Sequence, residues 1–150
     1  MNPIAIDTRA EYDYCVARGY EPLIDRRFKM DIRLRVSVQR ELFGDGHSPA
    51  ENEKFYRWCW EHKPHICEEC MRPLREYSAT YISHILTRGA HPEMSHDPRN
   101  VNILSFEMHN RWENGDRRNM RIYELNQLTI GTLQREYNEF SKIEKRCPKY

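Results

Sequence analysis

Hydrophobic residues recur at helical spacing in three segments of the chain. They predict helices over residues 8–18, 50–63 and 122–146. Thr8 is placed to cap the first of these helices at its N-terminus, and Gly19 is placed to end it. The chain is therefore expected to be helical near both of its ends.

Three local signals refine this pattern. The aromatic residues of the second predicted helix are spaced amphipathically, which is typical of packing in a core. Pro64 is expected to end that helix, and Gly131 to interrupt the third. Segment 30–43 stays ambiguous, because its first half alternates like a strand whereas residues 38–43 suit a helix.

The middle of the chain has a different pattern. β-Branched and aromatic residues over segments 75–86 and 101–106 predict two strands. Residues 87–100 between them are rich in Gly, Pro, Asp and Asn, and they predict a long loop. A short helix is expected over residues 107–114, closed by Gly115.

This order of elements indicates an α+β fold. Two strands folded as a hairpin, with a helix laid across them, would form a small core within residues 55–121. Residues 1–54 and 122–150 are then expected to be mostly helical N- and C-terminal extensions.

Composition restricts the compartment more than the function. With 39% hydrophobic and 31% charged residues, the chain is expected to have a modest core beneath a heavily solvated surface. It has no apolar stretch near the roughly 18 residues of a membrane span and no secretory leader at its start. We therefore expect no membrane partner and a location in the cytoplasm.

The net charge of +1 neither favours nor excludes a nucleic-acid partner. Phosphate binding depends instead on local clusters of Lys and Arg. Such clusters occur over residues 25–35 and 110–121, although either run alone is more typical of a solvated face with compensating acids.

Two of the five cysteines, Cys67 and Cys70, form a C-x-x-C pair. Without a secretory leader, reduced thiols and metal ligation are favoured over a set of disulfides. The pair is therefore a candidate for a structural zinc site.

Histidines are concentrated after this pair. Residues 81–110 hold four of the seven, including His84 at the end of the first predicted strand and His109 near the start of the short helix. The hairpin and helix would bring these two positions together over one face. A core of this size buries little, so polar residues at its centre need a reason.

The same window resembles the HNH nucleases, also named ββα-metal or His-Me finger endonucleases. In "NVNILSFEMH", Asn100, Ile103, Leu104 and His109 match the Asn, Leu, Leu and His of the family motif. The segment "SHILTRGA" stands at the place of the first histidine of the family. Its form is similar to that of phage members and of the lambda-type NinG/Rap recombination endonucleases.

The resemblance implies a role for each residue of the motif. His84 would be the general base that takes a proton from the attacking water, because an imidazole with a pKa of about 6.5 suits that work at neutral pH. His109 would bind a divalent metal ion, which could be Mg, Mn, Ni or Zn. Asn100 would hold the loop and orient the His84 ring through a hydrogen bond.

The chain departs from the family at the second metal ligand. Ser83 stands where many members have an Asp or His, and a hydroxyl is a poor ligand for a hard cation. His91, His96 and Asp97 are further candidates for this position, although loop residues of these types usually just face solvent or cap turns.

A second departure concerns the candidate zinc site. The second Cys pair of the family maps to Ser105 and Met108, neither of which is a zinc ligand. Either Cys67 and Cys70 pack as small apolar residues, or other side chains complete the site. The candidates for those further ligands are His62, His65, Cys59 and Cys147.

As a whole, the resemblance implies a metal-dependent endonuclease that hydrolyses DNA phosphodiester bonds, encoded by a phage or mobile element and active in the host cytoplasm. Its duplex or branched DNA would be contacted by Arg88, Arg111, Arg117 and Arg118. Two other classes stay open, a nucleic-acid-binding module without chemistry and an adaptor that docks on a phage protein. A homodimer is a further option, because one such site cuts one strand.

Overall fold

A computed structural model describes residues 3–5, 9–19, 21–23 and 30–146. Within these ranges, short strands accompany a larger number of helical residues, which is compatible with the α+β class. The helices are α1 (Arg9–Arg18), α2 (Ile32–Phe43), α3 (Pro49–His62), α4 (Phe106–Asn114) and α5 (Tyr123–Arg146). The strands are β1 (Pro3–Ala5), β2 (Glu21–Leu23), β3 (Ile82–His84) and β4 (Val101–Ile103).

The N-terminal part contains a parallel strand pair that its hydrophobic pattern does not predict. β1 pairs with β2, and α1 lies between them in the chain. The helix stops before Gly19, as predicted, and this glycine has a φ of +71°, which costs little without a Cβ. The proposed cap, Thr8, lies outside the described residues.

Segment 30–43 is resolved as a helix rather than a strand. Asp31 caps α2 by accepting a hydrogen bond from the Arg33 backbone N–H at 2.9 Å. Ile32 and Val36, which are one helical turn apart, are buried against α5 residues, while Val38 is buried against α1. Burial on two sides of α2 explains why its apolar pattern also fits strand alternation.

Helix α3 forms the base of the main core. A capping box between Ser48 and Glu51 starts it, and it ends at His62, just ahead of Pro64 as predicted. Its aromatic residues pack as expected, since Phe55 and Trp60 are buried and Tyr56 and Trp58 are partly buried against the same cluster. This cluster also holds hairpin residues, namely Ile82, Val101 and Ile103. The position of the hairpin is therefore fixed by α3.

The predicted hairpin is present but shorter than expected. β3 and β4 pair in antiparallel fashion with His84 opposite Val101. The first part of predicted strand 75–86 is not extended, because Ser78 caps a 3₁₀ turn over Ala79–Tyr81 by accepting from the Thr80 N–H. Segment 87–100 forms the predicted long connection, with two short 3₁₀ turns in it.

Helix α4 lies across this hairpin. It ends before Gly115, as predicted, but it begins at Phe106, one residue earlier than predicted. The buried Trp112 ties it to the hairpin by donating from Nε1 to the Ile85 carbonyl at 3.2 Å. α5 runs without a break through Gly131, so the predicted interruption is wrong. This exposed glycine meets no neighbour, and a helix tolerates one such residue. No helix in the described ranges is long and apolar enough to cross a membrane.

Candidate active site

An open cleft of about 340 Å³ lies between α3, the hairpin and α4. Three of the residues singled out from the sequence line it, namely His84, Arg88 and His109. The other lining residues are Tyr56, Ala79, Thr80, Ile82, Thr87 and Glu113. The fold therefore brings together two histidines that are 25 positions apart in the chain.

One ring nitrogen of His84 makes a hydrogen bond to the backbone, and the other is available as an acceptor. Its Nε2–H donates to the Ser95 carbonyl at 2.8 Å, which places the lone pair of the neutral ring on Nδ1. Burial lowers the pKa of His84 below its usual value, and the charges of Arg88 and His109 act in the same direction. The ring is therefore neutral at pH 7, as a general base must be.

Asn100 holds the loop as predicted but does not contact His84. Its side-chain Oδ1 accepts from the Leu86 N–H at 2.9 Å, and its Nδ2 donates to the Leu86 carbonyl at 3.0 Å and the Met94 carbonyl at 3.3 Å. The predicted hydrogen bond from Asn100 to the His84 ring is therefore wrong. The carbonyl of Ser95 orients that ring instead.

His109 has the opposite tautomer to His84. Its Nδ1–H donates to the Thr80 carbonyl at 2.6 Å, so the lone pair of the neutral ring lies on Nε2. That atom is 2.9 Å from the Glu113 carboxylate, one helical turn further along α4. A lone pair and a carboxylate repel at this distance unless a positive charge is shared between them. The pair therefore accommodates either a proton on His109 or a bound cation.

The His109–Glu113 pair fits a metal ion. Two ligands at right angles around an ion with bonds of about 2.1 Å lie about 3 Å apart, close to the distance between these two atoms. The sequence interpretation missed Glu113. Its signal was the spacing of four residues from His109, which puts both side chains on one face of a helix.

Arg88 and Tyr56 form the wall of the cleft beside His84. The Arg88 guanidinium is exposed and donates from Nη1 to the Tyr56 hydroxyl at 2.7 Å. Burial raises the pKa of Tyr56, so its hydroxyl keeps its proton at neutral pH. The predicted phosphate contact of Arg88 is thus compatible with its position. Tyr56 was expected only as a core residue.

Ser83 does not line this cleft. It is fully buried in β3, where neighbouring side chains point to opposite faces, and its Oγ has no hydrogen-bond partner. It is therefore badly placed to be a second metal ligand beside His109.

Asp97 belongs to a buried ion pair. Its carboxylate accepts hydrogen bonds from Arg99, the shortest at 2.7 Å, and from the Tyr137 hydroxyl at 3.0 Å. Burial would raise the pKa of Asp97, but the Arg99 guanidinium outweighs it and lowers the pKa to about 2. With both oxygens engaged inside the protein, Asp97 is not placed to bind a metal in the cleft.

His96 and His91 line a different cavity of about 760 Å³ between α2 and α5. His96 is buried and donates from Nε2 to the Asn52 side chain at 2.7 Å, and burial lowers its pKa to about 4. His91 lies 3.5 Å from the Glu93 carboxylate. Among the described residues, no three side chains of the His, Cys, Asp or Glu types come together as a metal-binding group.

The alternative ligands for Cys67 and Cys70 also lie elsewhere. His62 stacks on Trp58 and His65 on Trp60, with ring centroids 4.1 and 3.7 Å apart. Cys59 is buried in the core, where burial raises its pKa to about 12. Cys147 lies outside the described residues. A four-ligand zinc site therefore gains no support from these residues.

The other arginines predicted to bind DNA lie outside the cleft. Arg111 forms an ion pair with Asp116 at 2.7 Å, and Arg117 stacks over the Trp112 ring at 4.6 Å. Arg118 is exposed. In the basic run 25–35, residues 25–29 lie outside the described ranges, and Arg35 is fully buried, so it cannot reach a phosphate.

The comparisons with known protein families, with curated proteins and with solved structures give no match for this chain. The candidate site is therefore defined by its own geometry. That geometry joins His84, Arg88 and His109, adds Glu113 and Tyr56, and leaves Ser83 and Asp97 outside.

Proposed function

We propose that the protein is a metal-dependent endonuclease of the HNH type that hydrolyses DNA phosphodiester bonds. The single observation that carries this proposal is the cleft itself, which is lined both by the neutral imidazole of His84 and by the His109–Glu113 pair. The hairpin β3–β4 with α4 laid across it supports a ββα-metal core within residues 55–121.

The residues of the cleft divide the work of hydrolysis between them. Nδ1 of His84 accepts the proton of the attacking water, since the Ser95 carbonyl holds Nε2 and burial keeps the ring neutral. His109 and Glu113 would hold the divalent ion. Such an ion would neutralise the charge that grows on the phosphate and leaving oxygens. Arg88 binds a non-bridging phosphate oxygen from the open side.

A second function has one observation in its favour. The cleft offers two protein ligands to a metal, and the third candidate, Ser83, is buried away from it. A nucleic-acid-binding module that keeps the fold without the chemistry would have such an incomplete site. The two candidates differ in whether the DNA backbone is cut, not in whether it is bound.

Conversion of supercoiled plasmid to the nicked form separates these functions. The assay uses purified protein with Mg, Mn, Ni or Zn in turn, and with a chelator. We expect nicking with at least one metal and none after chelation. Glu113→Gln should require at least about tenfold more metal for half-maximal nicking, because it removes the charged ligand. Glu107→Gln, an exposed residue of the same helix, is the matched control and should behave as wild type.

Three outcomes would contradict the proposal. Salt-sensitive DNA binding without cleavage in every metal would favour the binding module. Wild-type metal dependence in both Glu113→Gln and His109→Ala would show that any cleavage uses another site. Absence of both binding and cleavage, with co-purification of another protein, would favour an adaptor.

A further inference from the structure

The C-x-x-C segment folds as a tight knuckle between α3 and the hairpin. Ile66 and Pro73 form an isolated bridge across it, and the Cys67 N–H donates to the Arg72 carbonyl at 2.9 Å. Met71 has a φ of +63°, a left-handed conformation that residues with a side chain rarely adopt. The surrounding contacts therefore hold this turn in one shape.

The knuckle brings the two cysteines of the pair together. The Met71 N–H donates to the Cys67 carbonyl at 2.8 Å, which closes the turn that carries both residues. The Cys70 thiol lies within hydrogen-bonding reach of the Cys67 sulfur. Cys67 is buried whereas Cys70 is exposed, so a metal ion can reach the pair from solvent.

Three methionines lie in or beside this knuckle. Of the six in the chain, Met71 follows Cys70 directly, Met120 is buried in the same cluster as Cys67, and Met108 packs against that cluster. A thioether is a soft, polarizable donor. The Ser105 hydroxyl, whose oxygen lies 3.7 Å from the Cys67 sulfur, is a poor ligand by comparison.

We propose that Cys67, Cys70 and Met108 form a binding site for a thiophilic metal ion of the Cu(I) class. Thiolate and thioether ligands select Cu(I), which accepts two or three sulfur donors. Structural zinc requires four nitrogen or sulfur ligands, and no further His or Cys of the described residues joins this pair. The ligand set therefore suits a soft monovalent ion better than zinc.

Competition for Cu(I) against the colorimetric chelator bicinchoninate tests this site. The full chain is used, reduced and without oxygen, with Cys147→Ser as the background. We expect one Cu(I) per chain, with affinity lowered at least a hundredfold in Cys70→Ser and about tenfold in Met108→Leu. Met94→Leu, a buried methionine of another cluster, is the matched control and should keep full affinity.

Zinc binding is the complementary test. The wild type should not hold zinc against a weak chelator, whereas Ser105→Cys/Met108→Cys, with four thiolates, should bind one zinc ion and give the Co(II) spectrum of a tetrahedral thiolate site. Three results would each overturn the proposal. They are tight zinc binding by the wild type, equal Cu(I) affinity in Met108→Leu, and no zinc gain in the double variant. None of these measurements depends on nicking, so the site and the endonuclease proposal stand or fall separately.

Discussion

Two groups of ionisable residues flank the loop of residues 87–100, and they differ in how fully the protein engages their hydrogen-bonding atoms. One is the cleft with His84, His109 and Glu113. The other is a buried ion network of Arg35, Asp97, Arg99, Glu136 and Tyr137. In the cleft each histidine donates one N–H to a backbone carbonyl, which leaves Nδ1 of His84 as an acceptor and Nε2 of His109 beside the Glu113 carboxylate. The Asp97 carboxylate, in contrast, is engaged by Arg99 and Tyr137. We therefore place the chemistry in the cleft and not in the ion network.

The buried ion network connects three parts of the chain. Arg99 joins Asp97 to Glu136 of α5, with nitrogen–oxygen distances of 2.7 and 3.0 Å. Arg35 of α2 is fully buried beside them, and its guanidinium nitrogens have no hydrogen-bond partner, so its charge is balanced by the nearby acids alone. The network therefore ties the loop to α2 and α5, and its role is in stability.

The largest effect should come from the general base. His84→Ala should lower plasmid nicking by about 10²–10⁴-fold, the usual contribution of a positioned base, and leave DNA affinity nearly unchanged. Nicking rates and gel-shift titrations measure the two quantities. His91→Ala, in the same loop but outside the cleft, is the control and should nick as wild type. Wild-type nicking by His84→Ala would exclude His84 as the base.

Substitutions in the buried ion network should change the stability of the fold instead of the nicking rate. Asp97→Ala leaves two buried arginines without their main counter-charge and should lower the free energy of unfolding by about 3–5 kcal/mol. Urea unfolding followed by circular dichroism measures it. Asp116→Ala breaks an exposed ion pair of similar length, which solvent screens, and should lower the free energy of unfolding far less. Equal losses in the two variants would contradict a special role for the network.

The stability of the protein should also depend on pH through His96. The pKa of His96 is lowered to about 4 by burial, while an unfolded histidine takes up its proton at about 6.5. The unfolded chain thus binds more protons between these values, and stability should fall as pH drops from about 6.5 to 4. His96→Gln can still donate to Asn52, and unfolding curves across this range should show a shallower decline. An unchanged slope would mean that His96 is not kept neutral.

For Asp97 the direction is the same, but the pH range is lower. The Arg99 guanidinium keeps the pKa of Asp97 near 2, so its contribution is complete above about pH 4 and is lost only as pH falls toward 2. Asp97 therefore adds little to the decline in stability between about pH 6.5 and 4. The acid limb of nicking should likewise lie below pH 6.5, because the pKa of His84 is lowered by burial.

The smallest effects are expected from the exposed arginines. Arg88→Ala should weaken DNA binding and lower the salt dependence of log Kd by about 1, as the loss of one phosphate contact does. Arg118→Glu tests whether DNA extends beyond the cleft toward the end of α4, and it should also lower the slope. Binding titrations at several salt concentrations measure both. No change with Arg118→Glu would remove that surface from the interface.

The local elements were largely predictable because their signals lie within a few residues. Gly19, Pro64 and Gly115 correctly marked the C-terminal ends of α1, α3 and α4. The shortened β3 and the pairing of β1 with β2 depend on contacts between distant segments, which periodicity does not record. Gly131 led to the opposite error, a predicted break that is absent. A single glycine does not interrupt a helix when the turns on both sides of it are helical.

The candidate site was predictable where residue type fixes chemistry and not where packing does. His84 and His109 follow from the motif spacing. Ser95 acts through its backbone carbonyl, which every residue has, so no side-chain signal could reveal it. Asp97 looked like a ligand because the sequence does not reveal that Arg99 and Tyr137 already hold it.

The hydroxyl of Ser105 serves two structures at once. It accepts from the Cys67 thiol at 3.7 Å, and it caps α4 by accepting from the Met108 N–H at 3.4 Å. Metal binding by Cys67, as proposed above, would break the first of these contacts and so act on the first turn of the helix that carries His109 and Glu113. Occupancy of the knuckle and order in the cleft would then be linked through a single oxygen, and such linkage acts equally in both directions.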